Sequence, residues 1–168
     1  NGMIGIGTGF STTIPQFNPL DCIQNIKRKL NNESYQEMKP FYKGFKGKIY
    51  KNKDHYITKG NYKIEDDKII ITELPIGSRA LQWTHDFKEF IEMIIQKENS
   101  FILDYENHST DDKVHFIIKV NDELLFDNQY KKEDIIEEKL KLKSKISLTN
   151  LHLYDKNGVI HKYDTIYQ

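Results

Sequence analysis

The sequence is short of cysteine, proline and long apolar runs. Its 168 residues include one cysteine and four prolines. The single cysteine, Cys22, excludes a disulfide within the chain and any metal site built from several thiolates. No stretch approaches the ~20 apolar residues that cross a bilayer, and the first residues lack the features of a signal peptide. We therefore expect no membrane partner. The chain is long enough for one compact domain or two small ones.

Arginine is also scarce, with two residues against 23 lysines. The planar guanidinium suits two-pronged contacts to base edges, whereas the lysine ammonium is a point charge that suits phosphates. Any binding to DNA is therefore expected to depend weakly on base sequence. A biased genome composition would produce the same ratio, so the scarcity limits the mode of binding without proving that binding occurs.

The chain has no net charge, because 25 basic side chains balance 25 acidic ones. The charges are nevertheless segregated: residues 1–60 carry 10 basic and 4 acidic side chains, residues 61–138 carry 9 and 19, and residues 139–168 carry 6 and 2. The two basic ends would attract a polyanion if they meet in space. Solvated surface charge without a partner explains the same pattern.

The first 30 residues contain a glycine-rich stretch followed by a helix signal. Alternate glycines at positions 5 to 9 predict a loop, because glycine lets the backbone bend freely. Asn18 is a good N-cap and Pro19 suits the first helical position, so a helix is expected to begin there. Its apolar stripe consists of Ile23, Ile26 and Leu30.

The middle of the chain predicts strands and one clear helix. Strands at 48–50, 55–64 and 68–74 are expected to form a small antiparallel sheet, and Pro75 ends the last of them. A helix capped by Thr84 follows. Its apolar positions recur with helical spacing, and they are Phe87, Phe90, Ile91, Ile94 and Ile95.

The last third of the chain completes an α+β fold. Strands at 101–106 and 113–120 form a hairpin, a helix lies within 121–140, and strands follow at about 145–154 and 159–163. From Ile69 the order is strand, helix, strand, strand, helix, strand, which is a split βαβ, ferredoxin-like pattern. We expect residues 1–66 to form a loop, a helix and a small sheet, and residues 67–168 to form the split βαβ part.

No motif nominates an active site. The glycines at 5 to 9 lack the GxGxxG spacing, and the KGFKGK run at 43–48 lacks the hydroxyl of a phosphate-binding loop. A nucleotide-binding enzyme would need a ligand at the first of these stretches. The six histidines lack metal-ligand spacing, and no spacing nominates one of the ten tyrosines as a nucleophile. We expect no catalytic residue and no metal site in the chain.

Ile14 is the first candidate for contact with DNA. It follows the glycine stretch and precedes Pro15, which disfavours helical geometry at Ile14 and holds it extended. An apolar side chain held in this way can act as a wedge that enters between base pairs and kinks the duplex. A place in the protein core explains the same residue.

Alternating lysines are the second candidate. Lys139, Lys141, Lys143 and Lys145 would share one face of an extended strand and form a line of positive charge that follows phosphates. An edge strand protected by lysine against aggregation explains the same alternation.

Taken together, six ordered blocks resemble type II DNA topoisomerases of the eukaryotic and large-virus kind. The resemblance covers nearly the whole chain and favours this group over the bacterial gyrase subunits. It implies the tower segment of the breakage–reunion core. The blocks are NGMIGIGTGFSTTIPQFNP at 1–19, PFYKGFKG at 40–47, ITELPIG at 71–77, WTHDFKEFIE at 83–92, DYENHSTDDKVHFIIK at 104–119, and KLKSKISLTNLHLYDKNGVIHKYDT at 141–165.

The resemblance implies two sets of site residues. The family's IP dipeptide supplies an isoleucine that intercalates the DNA, and it corresponds to Ile14. The family's KLQTSLTCNS-like stretch contacts DNA and aligns without a gap on KLKSKISLTN, which departs from it by additional lysines. The implied DNA-binding residues are Lys141, Leu142, Lys143, Ser144, Lys145, Ile146, Ser147, Leu148, Thr149 and Asn150.

The resemblance also implies parts that this segment lacks. The ATPase domain, the metal-binding domain and the winged helix with the nucleophilic tyrosine would precede Asn1, and a coiled coil would follow Gln168, so the segment alone is expected to be inactive. ATP and Mg²⁺ are implied for the parent enzyme and no cofactor for the segment. The implied partners are duplex DNA, the rest of the chain and a second copy, in a nucleus, a virion or a viral factory. The alternative is a noncatalytic protein-interaction module with the same fold and no DNA contact.

Overall fold

The computed structural model describes residues 2–9, 11–77, 83–125 and 131–167, and it confirms the predicted α+β class. Residues 126–130, which fall within a predicted helical region, lie outside the described residues. The described helices are α1 (Pro19–Leu30), α2 (Thr84–Ile95), α3 (Asp122–Leu125) and α4 (Lys132–Lys139). The described strands are β1 (Met3–Ile6), β2 (Ser11–Ile14), β3 (Lys48–Asn52), β4 (His55–Lys59), β5 (Asn61–Glu65), β6 (Lys68–Glu73), β7 (Ile102–Asn107), β8 (Phe116–Val120), β9 (Lys143–Ser147), β10 (His152–Tyr154) and β11 (Ile160–Lys162).

The glycine-rich opening is a β-hairpin and not the predicted loop. Strand β1 pairs antiparallel with β2, so that Met3 lies opposite Ile14 and Ile6 opposite Ser11. Glycine weakens a strand, but the cross-strand partner of Gly5 is the small Thr12, and the flexible glycines beyond β1 lie in the connection. The hairpin places Ile14 at the end of an extended strand, as the following proline predicts.

Helix α1 begins as predicted, but its apolar stripe is exposed. The side chain of Asn18 accepts a hydrogen bond from the backbone N–H of Leu20 at 3.0 Å, and Pro19 is the first helical residue. The buried position of the helix is Asn25, whose side-chain amide donates to the carbonyl of Gln36 at 2.9 Å and accepts from its N–H at 2.8 Å. The predicted stripe faces solvent, with Ile23, Ile26 and Leu30 all exposed.

The predicted strand at 55–64 is two strands that separate at Gly60. The N–H of Gly60 donates to the carbonyl of Leu142 at 3.0 Å, and a Cβ atom at this position would overlap the carbonyl oxygen of Glu73. Only glycine tolerates so close an approach. Gly60 is the residue between the end of β4 and the start of β5. Strand β4 belongs to a sheet of order β3-β4-β9, and β5 belongs to a sheet of order β5-β6-β8-β7.

The chain forms two compact units whose segments alternate along the sequence. The first unit comprises Asn1–Gly44, Ile49–Ile57 and Ile146–Gln168, and the second comprises Phe45–Lys48 and Thr58–Lys145. This division differs from the predicted parts 1–66 and 67–168, because the last residues of the chain join the first unit. The hydrogen bond from the N–H of Thr13 to the carbonyl of Asn150, at 2.9 Å, is one contact that joins the two ends.

The second unit has most of the split βαβ arrangement that the element order predicts. Strand β8 lies between β6 and β7 and is antiparallel to both, with α2 between β6 and β7 in sequence. Helix α2 buries Phe87, Ile91 and Ile94, and the ring of Phe87 meets that of Phe116 edge-on at 5.0 Å. The departure is at the fourth strand, since β5 and not β9 pairs with β6. A short turn between β5 and β6 makes that local pairing available at low entropic cost.

Candidate nucleic-acid interface

Ile14 lines an apolar cavity in the first unit. Its side chain is half-buried, and the following Pro15 is buried. The cavity has a volume of about 630 Å³ and is lined mainly by apolar side chains, among them Met3, Phe17 and Leu153. Ile14 is therefore neither enclosed in a closed core nor fully exposed, and it has free volume beside it.

The strand that ends at Ile14 is bound to the last residue of the predicted DNA-contacting stretch. Besides the Thr13 hydrogen bond, the hydroxyl of Thr12 donates to the carbonyl of Asn150 at 3.4 Å. The side-chain amide of Asn150 in turn donates to the hydroxyl of Ser11 at 2.6 Å. The structure thus joins the strand that ends at Ile14 to Asn150, and the family resemblance implies DNA contact for both residues.

The part of the predicted stretch that belongs to the first unit alternates between buried and accessible side chains. Ile146 is buried, and the N–H of Leu148 donates to the carbonyl of Asp54 at 2.9 Å. Ser147 and Thr149 are exposed, and their hydroxyl oxygens lie 2.8 Å apart. The apolar positions fix this segment, whereas the two hydroxyls are accessible to a ligand.

The four alternating lysines do not lie on one extended strand, so that prediction is wrong. Lys139 is the last residue of α4, and its ammonium donates to the carbonyl of Leu125 at 2.9 Å and lies 5.1 Å from the ring centre of Phe101. Only Lys143 and Lys145 lie in β9. The physical reason is the burial of Leu140 and Leu142, which are both fully buried. Helix α4 ends just before Leu140, and the chain turns at Lys141 before β9 begins.

Lys141 occupies that turn and covers an aromatic ring. Its backbone is left-handed, with φ of 52°, and its ammonium lies 4.7 Å from the ring centre of Phe90. Lys141 lines a cavity of about 530 Å³ together with the acidic side chains of Asp86, Glu89 and Glu92. Among the described residues, the contact of its ammonium is therefore the Phe90 ring, and no carboxylate forms an ion pair with it.

Lys143 is bound by two carboxylates. It forms an ion pair with Glu137 and a second with Asp134 at 3.3 Å. Partial burial alone would lower the pKa of Lys143, but the hydrogen bonds and charges of Glu137 and Asp134 outweigh that effect and raise the pKa. Its ammonium is thus charged and already neutralised by protein groups.

Lys145 differs from the other three lysines. It is exposed, and within the described residues it forms no ion pair, hydrogen bond or ring contact. Side chains alternate along a strand, so Lys145 shares a face of β9 with Lys143 and Ser147. Of the predicted lysines, Lys145 is therefore the one whose ammonium is available to a phosphate.

Sequence reasoning missed Ser11 and His152, which complete the polar network around Asn150. The Nδ1 atom of His152 lies 3.2 Å from the carbonyl oxygen of Ser11 and 3.1 Å from the side-chain oxygen of Asn150. Both residues lie in blocks that resemble the family, at 1–19 and 141–165, but nothing in those blocks assigned either of them a role. The pairing of β1 with β2 would have pointed to Ser11, but the glycines obscured that pairing.

Within the described ranges, no group of three or more histidine, cysteine, aspartate or glutamate side chains is placed to hold a metal ion. In the same ranges, no helix has the length and apolar character needed to cross a membrane.

Residues 1–168 match the family model for the A subunits of DNA gyrase and topoisomerase IV, and the chain therefore belongs to this family. It is 43% identical over 168 residues to DNA topoisomerase 2 of Plasmodium falciparum, a match that covers 98% of this chain and 12% of that protein. It is 36% identical over 177 residues to DNA topoisomerase 2 of Invertebrate iridescent virus 6, covering 99% of this chain and 14% of that protein. These relatives confirm the resemblance to eukaryotic and viral type II enzymes.

A solved structure agrees with the sequence relatives. The crystal structure of the Plasmodium falciparum topoisomerase II DNA-binding, cleavage and re-ligation domain superposes with a TM-score of 0.87 at 43% identity, covering 99% of this chain and 22% of that chain. A DNA topoisomerase 2 of Dictyostelium discoideum named as mitochondrial is 37% identical over 171 residues, which is 99% of this chain and 12% of that protein. The chain thus spans only about an eighth of the length of such relatives.

Proposed function

We propose that this chain is the DNA-binding and DNA-bending segment of an ATP-dependent type II DNA topoisomerase, which passes one duplex through a transient double-strand break in another. The observation that supports it best is the hydrogen-bonded contact between the strand that ends at Ile14 and Asn150. It joins a wedge-like residue to the end of the stretch that the family resemblance assigns to DNA.

In this proposal Ile14 enters between base pairs and kinks the duplex. Opening a base step costs a few kcal/mol of stacking, which is offset by the contacts that a bent duplex makes with the protein. Withdrawing the half-buried side chain from its cavity costs about 1 kcal/mol, on the scale of 1.5–3 kcal/mol for a fully buried isoleucine. That cost is small enough for DNA contacts to offset.

The stretch from Lys141 to Asn150 is the proposed contact to the DNA backbone. The exposed hydroxyls of Ser147 and Thr149 are suited to donate hydrogen bonds to phosphate oxygens. Lys145 adds a positive charge that can replace a bound counterion on the duplex. Contacts of this kind fix the register of the duplex without selecting its base sequence.

The parent enzyme would supply the chemistry around this segment. We propose that it uses ATP and Mg²⁺, forms a tyrosyl–phosphate link through a residue outside this chain, and works as a homodimer. A bent duplex presents its scissile phosphates in a defined position, and such positioning lowers the barrier to in-line attack. We propose the nucleus as the enzyme's compartment, or a virion or a viral factory in the host cytoplasm if the source is viral; among the relatives, one is named as mitochondrial and another is viral.

The test is the substitution Ile14→Ala in the complete topoisomerase chain that contains this segment. We expect DNA bending and cleavage to fall about tenfold, since losing ~1.4 kcal/mol of wedge contact corresponds to that factor. ATP hydrolysis without DNA should not change. Bending is measured by fluorescence energy transfer between dyes on the two arms of the DNA.

Two further variants make this test specific. Ile14→Leu keeps the apolar bulk and should retain most of the bending. Ile4→Ala changes an exposed isoleucine in the paired strand and should have no effect. Unchanged bending in the Ile14→Ala enzyme, with normal DNA affinity, would show that Ile14 is not the wedge.

A further inference from the structure

A buried carboxylate in the second unit lies where α4 meets the start of β9. Glu137 is 6% exposed, and its oxygens lie 3.0 and 2.8 Å from the ammonium of Lys59. Lys143 forms the second ion pair, and the hydroxyl of Tyr62 donates to the same carboxylate at 3.4 Å. Burial and the adjacent Glu137 charge raise the pKa of the Tyr62 phenol, which keeps it a hydrogen-bond donor.

The two lysines at Glu137 have different surroundings. Lys59 reaches both oxygens of Glu137, so this carboxylate has a countercharge without Lys143. The additional carboxylate of Asp134 lies on the same helix, and among the described residues its ion pair is with Lys143. Lys143 therefore has two carboxylate partners, although Lys59 alone already supplies Glu137 with a countercharge.

The backbone reinforces the same point of contact. The N–H of Leu142 donates to the carbonyl of Glu137 at 2.9 Å, and the carbonyl of Leu142 accepts from Gly60 at 3.0 Å. Leu142 itself is fully buried. Side-chain and backbone bonds together therefore fix where β9 begins, two residues before Lys145.

We infer that Glu137 and Lys143 are positioning residues for the DNA-contacting strand, and that Lys143 does not itself bind a phosphate. Lys143 holds the start of β9 against α4, which sets the direction of the Lys145 ammonium. This inference rests on the proposed function, because it assigns separate roles to two lysines of the same DNA-binding stretch.

The test compares Lys143→Met with Lys145→Met in the complete topoisomerase chain. Both changes remove one positive charge and keep an apolar stem, and Lys59 still pairs with Glu137 in the first variant. Affinity for duplex DNA is measured over a range of salt concentrations. Each phosphate contact contributes about −0.9 to the slope of log affinity against log salt.

We expect the two variants to change different features of that line. Lys145→Met should reduce the slope by about one, because a phosphate contact is lost. Lys143→Met should leave the slope unchanged and lower affinity about tenfold at every salt concentration, which corresponds to ~1.4 kcal/mol of lost positioning. Glu137→Gln should give the same parallel shift.

Three other outcomes would contradict the inference or the proposed function. A slope reduced by Lys143→Met as much as by Lys145→Met would mean that Lys143 binds a phosphate, and the inference would fail. No change of slope or affinity in a folded Lys143→Met enzyme would mean that the ion pairs serve stability alone. If the unaltered enzyme shows no salt-dependent binding of duplex DNA, the proposed function fails and not merely the roles of the two lysines.

Discussion

The two units of the chain distribute their apolar side chains in opposite ways. Of the buried hydrophobic residues in the described part of the chain, fifteen belong to the second unit and five to the first. Of the large hydrophobic residues exposed there, four belong to the second unit and thirteen to the first. The second unit therefore folds around its own core, whereas the first presents more apolar surface.

The formal charges divide in the same direction. The first unit has nine basic and six acidic side chains, and the second has sixteen and nineteen. The proposed wedge and the exposed hydroxyls beside Asn150 belong to the positively charged unit. Lys145, the lysine of the proposed DNA contact, lies at the boundary between the units, as the last residue of the second.

The largest expected effect tests the core of the second unit. Phe87→Ala should lower the free energy of unfolding by about 3–5 kcal/mol, because a fully buried aromatic leaves a cavity opposite Phe116. The control is Ile26→Ala in the exposed stripe of α1, which should change it by less than about 0.5 kcal/mol. Both are measured by urea denaturation of the 168-residue chain. Equal losses for the two variants would contradict the comparison of the units.

A smaller effect tests whether polar contacts hold the first unit. Asn25→Ala removes both partners of the Gln36 backbone and should cost about 1–3 kcal/mol, because buried polar groups lose their hydrogen bonds. Gln24→Ala, at the exposed neighbouring position, is the matched control. Hydrogen exchange at the amide of Gln36 reports the loss locally. Protection that persists in the Asn25→Ala chain would show that this amide is held by other contacts.

The elements that sequence patterns predicted well are those fixed by local periodicity. Helix α2 and the hairpin of β7 and β8 follow from apolar residues at helical or alternating spacing, which no distant contact overrides. The opening hairpin was missed because Gly5 and Gly7 favour a loop locally. Its strands form through pairing across the connection, which glycine composition does not report.

The candidate site was predictable in its parts and not in its geometry. The family resemblance selected Ile14 and the stretch ending at Asn150, but the hydrogen bonds between them join residues 139 positions apart in the case of Ser11 and Asn150. The lysine alternation was misread because KLKLKSK suits a helix end as well as a strand. Of these lysines, Lys143 pairs with Glu137 and Asp134, and such contacts exist only in the folded chain.

The smallest effect concerns the surface of the second unit, where a phenol meets a carboxylate. The hydroxyl of Tyr105 donates to Glu92 at 2.6 Å, and this hydrogen bond, with burial and the Glu92 charge, raises the pKa of Tyr105 to about 12. The unfolded phenol titrates near ~10. The stabilisation is therefore fully present below pH ~10 and is lost as the pH rises through about 12.

Tyr105→Phe should remove this part of the pH dependence, while Tyr154→Phe, at an exposed position, should leave it unchanged. Ultraviolet titration of the phenols, combined with unfolding at each pH, measures both. If Tyr105 ionises together with the exposed tyrosines, its contact with Glu92 contributes nothing to the stability of the second unit.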